Sequence, residues 1–303
     1  MLQPMTPSKR LKLLFLATRP AFLSITAIAF LIGMTDEFRN DRLLISITGL
    51  FLALMGHAAA NVINDYFDSV NGTDDINQSR IFPFTGGSRF IQNKIFTPLE
   101  IKVLGIFLFC LTSLAGIWIA YLTTWNLLWV GLIGLGLGWS YSAPPLKLMS
   151  RGLLGEIAIV ICWAFICVGA AFLSKSQINL SLIPVSIAYG LMVSTILFVN
   201  QIPDKEADRL CNKFTLAVQF TDQTLWRVYA AISGLAYVIL TISVLFKLIP
   251  VIYLITLIPL PLTIHVIIRL KKNLDTSLES NIKQTILITH LIGLLIVFAS
   301  LFK

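Results

Sequence analysis

The sequence predicts an all-α membrane protein, folded as a bundle of nine transmembrane helices. Of its 303 residues, 56% are hydrophobic and 13% are charged, and the mean hydropathy is +0.84. A soluble domain carries about 25% charged residues. Nine apolar stretches are long enough to cross the hydrocarbon core, which takes about 20 residues in a helix. Helices satisfy their own backbone hydrogen bonds in lipid and are therefore the expected spanning element.

The loops between these stretches predict the topology. The stretches cover residues 13–34, 43–65, 100–121, 125–142, 153–173, 180–202, 225–246, 249–268 and 282–301. With the N-terminus in the cytoplasm, 17 of the 23 Lys and Arg residues fall on the cytoplasmic side and five outside, while Arg19 lies within the first span. This bias follows the positive-inside rule and predicts an external C-terminus.

The first stretch and the remaining composition exclude other classes of protein. That stretch contains Arg19 and Pro20 without a small-residue cleavage pattern, so we expect a span rather than a removable leader. The four cysteines form no CxxC pair and indicate neither a disulfide framework nor a zinc site. The net charge of +8 lies mostly in loops and does not indicate nucleic-acid binding. We expect a single domain, residues 1–303, with cytoplasmic cap loops at about 66–99, 143–152 and 203–224.

The second stretch ends in an acidic motif, NVINDYFDSVNGTDD (residues 61–75). Asn61, Asp65 and Asp68 follow the spacing i, i+4, i+7 and therefore share one face of a helix. A carboxylate in apolar surroundings is costly unless it is paired, solvated or bound to a metal. The motif therefore needs a cation.

The sixth stretch ends in a second motif of the same form. Asn200, Asp204 and Asp208 follow the spacing i, i+4, i+8 at the same cytoplasmic depth as the first motif. If the two helices are neighbours, both faces converge on one cavity. Mg²⁺ prefers oxygen ligands and is commonly held by one or two carboxylates together with substrate phosphates. The two motifs are therefore expected to bind one diphosphate through Mg²⁺.

Basic residues in the cytoplasmic loops are candidate phosphate ligands, because Lys and Arg neutralise phosphate. They are Arg89, Lys147, Arg151 and Lys213. Arg89 ends the segment TGGSR (residues 85–89), which resembles a phosphate-cradling glycine turn. Lys147 ends the segment WSYSAPPLK (residues 139–147), in which two prolines terminate the helix that carries Tyr141.

Other polar residues have a plainer interpretation. Asp75 and Glu206 are expected to be solvated loop acids. Glu156 is expected to cap a helix start or to pair with a nearby arginine. His57 lies one helical turn before the acidic motif and either faces the cavity or packs in the core.

The segments NDYFDSVNGTD, YSAPPLK and DKEADRLCNKFTLAV together resemble the UbiA superfamily of intramembrane prenyltransferases, over nearly the whole chain. TGGSR, KFTLAV (residues 213–218) and ATRPAFL (residues 17–23) are similar to its MenA-type branch, which prenylates 1,4-dihydroxy-2-naphthoate in menaquinone synthesis. The resemblance implies Mg²⁺-dependent transfer from a polyprenyl diphosphate to an aromatic acceptor, in the cell inner membrane, with the active site facing the cytoplasm. Pro203 and Asn212 depart from that branch, which usually has Arg and Gly there, and this bears on the acceptor.

The resemblance also implies a role for each candidate residue. One Mg²⁺ would be held by Asp65, Asp68 and Asp74, and a second by Asp204 and Asp208. Three amides would orient these carboxylates or contact the diphosphate: Asn61, Asn64 and Asn200. Four cations would neutralise the leaving diphosphate: Arg89, Lys147, Arg151 and Lys213. Aromatic rings would shield the allylic cation: Tyr141, Trp139 or Tyr66.

Alternatives stay open at this point. Within the enzymes, the acceptor could be 4-hydroxybenzoate, homogentisate, a porphyrin or a glycerol phosphate lipid. A cation transporter would predict mid-span acids and an inverted repeat, but here the acids lie at inner span ends and the two motifs run in the same direction. A phosphatidyltransferase would carry a DGxxAR motif, which the sequence lacks.

Overall fold

The computed structural model describes residues 5–34, 42–175, 178–272 and 274–302, and these residues are almost entirely helical. Seven helices within them are long and apolar enough to cross a membrane, or eight if one bent pair is a single span. The chain is therefore a multi-pass membrane protein. Arg39 and Lys303, two of the cations predicted to lie outside the cell, fall beyond the described residues, and the side chain of Lys175 is also not described.

Twelve α-helices follow one another along the described chain. They are α1 (Pro7–Ala17), α2 (Leu23–Met34), α3 (Leu43–Asn71), α4 (Thr73–Ile76), α5 (Pro98–Leu122), α6 (Asn126–Ser142), α7 (Leu153–Lys175), α8 (Leu182–Leu210), α9 (Leu216–Gln219), α10 (Leu225–Leu245), α11 (Leu260–Lys272) and α12 (Leu274–Ser300). Two strands of two residues each, β1 (Arg151–Gly152) and β2 (Phe214–Thr215), pair in parallel. This small pair connects the cap loop before α7 to the loop after α8.

The first predicted span is broken rather than continuous. Helix α1 ends at Ala17, Arg19 takes a left-handed conformation with φ 55°, and a 3₁₀ turn over Pro20–Phe22 leads into α2. The two halves meet at 44°. Pro20 lacks a backbone N–H and disfavours helical geometry in the residue before it, which accounts for the break at Arg19.

Two helices extend beyond their predicted ends and so correct the predicted cap loops. Helix α3 continues to Asn71 and stops at Gly72, whose φ of 82° is the left-handed geometry of a common helix C-terminus. Helix α8 continues through Pro203 to Leu210. The carboxylates of both motifs therefore lie on α3 and α8, apart from those that follow Gly72, which lie on the short helix α4.

Two other predicted spans differ in form. Helix α6 has 17 residues and is about 25 Å long at 1.5 Å per residue, which is shorter than a typical hydrocarbon core. The predicted span 249–268 begins with a 3₁₀ helix over Val251–Leu257 and becomes α-helical at Leu260, as expected from Pro259 and Pro261. The nine-span topology stays a prediction.

Helix α8 lies at the centre of the bundle, and 72% of its most apolar 18-residue segment is buried. It packs against α7, α10 and α12, while α3 packs against α5, α6 and α2. At the hairpin between α5 and α6, Trp118, Tyr121 and Trp125 form an exposed aromatic cluster. Aromatic side chains favour the membrane–water interface, so this cluster marks one boundary of the bilayer.

Candidate active site

Asp65 in α3 is fixed by groups from two other segments. It is buried, forms an ion pair with the guanidinium of Arg19, and accepts a hydrogen bond of 3.0 Å from the backbone N–H of Ser88. The helix break before Pro20 allows Arg19 to reach this carboxylate. The sequence analysis gave Arg19 no role at the site, although a cation within an apolar span needs a carboxylate partner.

Lys213 joins the two acidic motifs. Its ammonium group lies 3.0 Å from Asp68 of the first motif and 3.4 Å from Asp208 of the second. Burial alone lowers the pKa of Lys213, but these two carboxylates outweigh burial and raise it above its usual value. Lys213 is therefore a cation paired with both motifs. The two motifs converge on it, although α3 and α8 pack mainly against other helices.

Asp204 is fixed from the other side of the site. Its carboxylate accepts a hydrogen bond of 2.7 Å from the side-chain amide of Asn77 and another of 3.3 Å from the backbone N–H of Gly86. Asn77 follows α4, so the short segment after α3 bridges to α8. Asn77 was not among the predicted site residues, because nothing in the sequence alone connects it to Asp204, which lies 127 residues away.

The TGGSR segment ties the two motifs together through backbone N–H groups. Gly86 donates to Asp204 and Ser88 donates to Asp65, so these amides bind carboxylates of the protein itself. Gly87 lies between them with φ 69°, and a Cβ there would lie 2.8 Å from Asp74 Oδ2 and 3.1 Å from Asp65 Oδ1. Only glycine permits this close approach without strain.

Asp74 and Asp75 are neighbours in sequence but differ in environment. Asp74 is buried beside the site, and Asp75 is exposed. Burial, then the carboxylates of Asp68 and Asp65, raise the pKa of Asp74 to about 7. This crowding of negative charge indicates a place that a further cation would stabilise.

The three predicted amides adjoin these carboxylates. Asn61 donates a hydrogen bond of 3.0 Å to the carbonyl of Thr18, and Asn64 donates one of 3.1 Å to the carboxylate of Asp68. Asn200 lies opposite on α8, and its buried Oδ1 has no hydrogen-bond partner among the described residues.

Two adjoining cavities occupy the bundle here. The polar one, about 120 Å³, is lined by the carboxylates of Asp68, Asp74, Asp204 and Asp208 together with Lys213. The apolar one, about 700 Å³, extends between α2, α3, α5, α6, α7 and α8. Six residues line both cavities and so mark their junction: Arg19, Asn64, Phe84, Tyr141, Leu197 and Asn200. The arrangement suits a ligand with an anionic head and an apolar chain.

Several predicted residues lie elsewhere. Lys147 and Arg151 are exposed and line neither cavity. Arg151 donates a hydrogen bond of 2.9 Å to the carbonyl of Pro145. The guanidinium of Arg89 donates a hydrogen bond to the backbone carbonyl of Asp74. The sequence analysis placed these three cations at the diphosphate because it could not show the direction in which each loop folds.

Two further side chains also differ from the sequence-based expectation. Trp139 packs edge-on against Phe109, and Tyr66 lies under Lys102, so only Tyr141 of the three predicted rings lines the cavities. Glu156 lies in the first turn of α7, as expected for an acid at a helix start. It is buried and accepts a hydrogen bond of 2.8 Å from the side chain of Gln201 rather than pairing with an arginine.

The donor atoms at the polar cavity fit a hard divalent cation. The four carboxylates that line it and the unpartnered Oδ1 of Asn200 supply the oxygen ligands that Mg²⁺ prefers, while Asp65, bonded to Arg19 and Ser88, does not line the cavity. No preformed group of three or more metal-binding His, Cys, Asp or Glu side chains occurs in the described part of the chain. The carboxylates are held instead by Arg19, Lys213 and Asn77.

The bundle and the site together define an integral membrane protein that binds an anionic head group beside an apolar chain. The model of the UbiA prenyltransferase family matches residues 22–289. The protein named "UbiA prenyltransferase domain-containing protein 1" of Dictyostelium discoideum is 31% identical over 248 residues, 78% of this chain and 73% of that protein. The "1,4-dihydroxy-2-naphthoate octaprenyltransferase" of Bacillus subtilis is 26% identical over 230 residues, 75% of this chain and 72% of that protein.

A solved structure has the same fold. A UbiA homolog from Archaeoglobus fulgidus, bound to DMAPP and Mg²⁺, superposes with a TM-score of 0.70 at 17% sequence identity, covering 97% of this chain and 99% of that one. The chain belongs to the UbiA prenyltransferase family. It is thus a membrane prenyltransferase, and the resemblance found in the sequence is confirmed.

Proposed function

We propose that this enzyme transfers an isoprenyl chain from a polyprenyl diphosphate to an aromatic acceptor, with 1,4-dihydroxy-2-naphthoate as the acceptor. The observation that carries the proposal is the convergence of two Asn–Asp motifs on one polar cavity beside a large apolar one. The naphthoate acceptor is supported by the name of the Bacillus subtilis relative and by the TGGSR and KFTLAV segments.

The polar cavity binds the diphosphate in this proposal. Mg²⁺ would be held by Asp65, Asp68 and Asp74 on one side and by Asp204 and Asp208 on the other. When bound, it stabilises the negative charge that develops on the departing diphosphate. The solved homologue bound to DMAPP and Mg²⁺ has the same fold, which supports this assignment.

Arg19 and Lys213 supply fixed positive charge at the same place. Both are held by carboxylates within the site. As the bond between the allylic carbon and the diphosphate oxygen breaks, cations placed in advance lower the barrier by stabilising the leaving group. Lys213 therefore keeps the role that the resemblance implied for it, and we assign to Arg19 the role first given to Lys147, Arg151 and Arg89.

Tyr141 lies where the charged carbon would form, since it lines both cavities. Its ring can stabilise an allylic cation through its π face. The electron pair of the acceptor ring then forms the new carbon–carbon bond, and the ring loses one proton as aromaticity is restored. The isoprenoid chain occupies the apolar cavity.

The polar cavity faces the cytoplasm of the cell inner membrane in this proposal. Nine spans, counting α1–α2 and α6, place both acidic motifs at that surface, where water-soluble diphosphate and acceptor head groups arrive. The positive-inside bias of the loops supports this orientation.

The experiment uses purified protein, Mg²⁺, radiolabelled geranyl diphosphate and a panel of aromatic acceptors. We expect label in 1,4-dihydroxy-2-naphthoate and its loss when the metal is chelated. Labelling of 4-hydroxybenzoate, homogentisate or a glycerol phosphate lipid in its place would assign another acceptor. Absence of transfer to every aromatic compound would refute the proposed function.

A further inference from the structure

His57 places a polar group inside the apolar cavity. It lies on α3 one turn before Asn61, about 6 Å further from the cytoplasmic end at 1.5 Å per residue, and it lines the large cavity. The carboxylates and cations described above do not bond to it. Asn61, by contrast, is already bonded to the backbone of Thr18.

Two neighbours fix the orientation of the His57 ring. Nδ1 lies 2.8 Å from the hydroxyl of Thr26 in α2, and the Trp163 ring packs edge-on with ring centres 5.1 Å apart. Thr26 is fully buried, and its hydroxyl makes no other hydrogen bond to the residues that the structure describes. A buried hydroxyl proton needs an acceptor, so Thr26 donates to Nδ1 and the ring carries its proton on Nε2.

The remaining nitrogen is thus a donor without a protein partner. No hydrogen bond of Nε2 occurs among the described residues, and this atom is not enclosed by protein. Two other hydroxyls of the cavity wall are satisfied within their own helix, since Thr112 donates to the carbonyl of Leu108 and Ser113 to the carbonyl of Phe109. A donor in apolar surroundings strongly favours a ligand that accepts a hydrogen bond.

We propose that His57 binds the acceptor by donating its Nε2–H to an oxygen substituent of the aromatic ring. His57 lies eight residues before Asp65, about 12 Å along the helix axis, which leaves room for the reacting carbon and one aromatic ring between the two. The acceptor ring is activated by its oxygen substituents. Fixing one of them therefore selects the ring carbon that faces the prenyl group. Thr26 is a positioning residue that holds the tautomer.

This inference rests on the proposed function, and two amide variants test it. In H57Q the side-chain amide nitrogen reaches the position of Nε2 and can donate there. In H57N the shorter amide places its oxygen at the position of Nδ1, where it still accepts from Thr26, and leaves no donor at the position of Nε2. We expect H57N to raise the KM for the best acceptor of the panel about tenfold, the effect of one lost hydrogen bond. H57Q should stay within about threefold of wild type, and the KM for geranyl diphosphate should stay within about threefold in both.

His290 provides the matched control, because it forms a similar histidine–hydroxyl pair with Ser24, 2.8 Å apart, and lines neither cavity. H290N should leave the acceptor KM unchanged. The inference is overturned if H57N performs as well as H57Q, if both substrates' KM values rise together, or if H57N changes acceptor KM less than about threefold. If H57N no longer binds geranyl diphosphate, the test rests on the KM of H57Q for the acceptor. A value more than about threefold above that of wild type then overturns the inference. A wild-type enzyme without aromatic prenyl transfer would instead refute the proposed function itself.

Discussion

At the scale of single residues, burial separates the two neighbouring acids after α3. Asp74 lies against the polar cavity and Asp75 is exposed. We expect D74N to lower kcat/KM at least about 100-fold, since removing one preorganised electrostatic group typically costs that much. D75N is the matched control and should retain wild-type kinetics. Equal loss in both variants, measured by prenyl transfer at saturating Mg²⁺, would contradict the assignment of Asp74.

Gly87 offers a second test at this scale. An added methyl group would meet Asp74 and Asp65, and φ 69° disfavours every residue with a Cβ. We expect G87A to raise the Mg²⁺ concentration for half-maximal activity about tenfold, in the range seen when groups that support metal ligands are changed. G234A adds a methyl group where nothing lies within 4 Å and should have no effect. An unchanged Mg²⁺ requirement in G87A would count against the proposed site.

Residue spacing predicted which acidic groups share a helix face, but it did not predict which residues pair with them. Asn61, Asp65 and Asp68 share a face because a helix repeats every 3.6 residues, and this holds wherever the helix lies in the bundle. The partners Arg19 and Asn77 come from distant segments, and their positions depend on how a broken helix and a loop fold back. Lys147 has the charge of a phosphate ligand, but it is exposed and lines neither cavity.

At the scale of elements, α6 shapes the apolar cavity through its glycines. Gly131, Gly134 and Gly136 line the cavity, and a Cβ at each would meet nothing within 4 Å. We expect G134L to fill part of the cavity and to lower turnover of long prenyl diphosphates relative to dimethylallyl diphosphate, without loss of folding, because leucine favours a helix more than glycine.

The control for G134L is G234L on α10, where glycine also has open surroundings but lines neither cavity. The measurement is the ratio of kcat/KM for a long and a short donor. A ratio that falls equally in both variants, or in neither, would show that the isoprenoid chain does not lie along α6.

The elements also show which structural signals a sequence contains. Hydrophobic length located the spans but not the ends of α3 and α8, because polar residues continue a helix once it leaves the apolar region. The break at Arg19 was not predicted, although Pro20 accounts for it, and Pro259 accounts for the change of helix type before Leu260. The pairing of β1 with β2 joins loops far apart in sequence, and no local pattern predicts it.

At the scale of the whole molecule, the predicted topology can be measured directly. Asn126 is the first residue of α6, next to its short connection with α5, and Glu206 lies near the end of α8; both are exposed. In a cysteine-free background, N126C should react with a membrane-impermeant maleimide in intact cells, and E206C only after permeabilisation. The reverse pattern would contradict the cytoplasmic orientation of the site.

The central claim is that the two acidic motifs form one Mg²⁺-dependent diphosphate site. Equilibrium binding of radiolabelled geranyl diphosphate tests it most directly, in wild type, D68N and D208N, across a Mg²⁺ titration. The account predicts saturable, Mg²⁺-dependent binding in wild type and at least about a tenfold weaker affinity in each variant. Binding that is independent of Mg²⁺, or that survives the loss of either carboxylate, would contradict it.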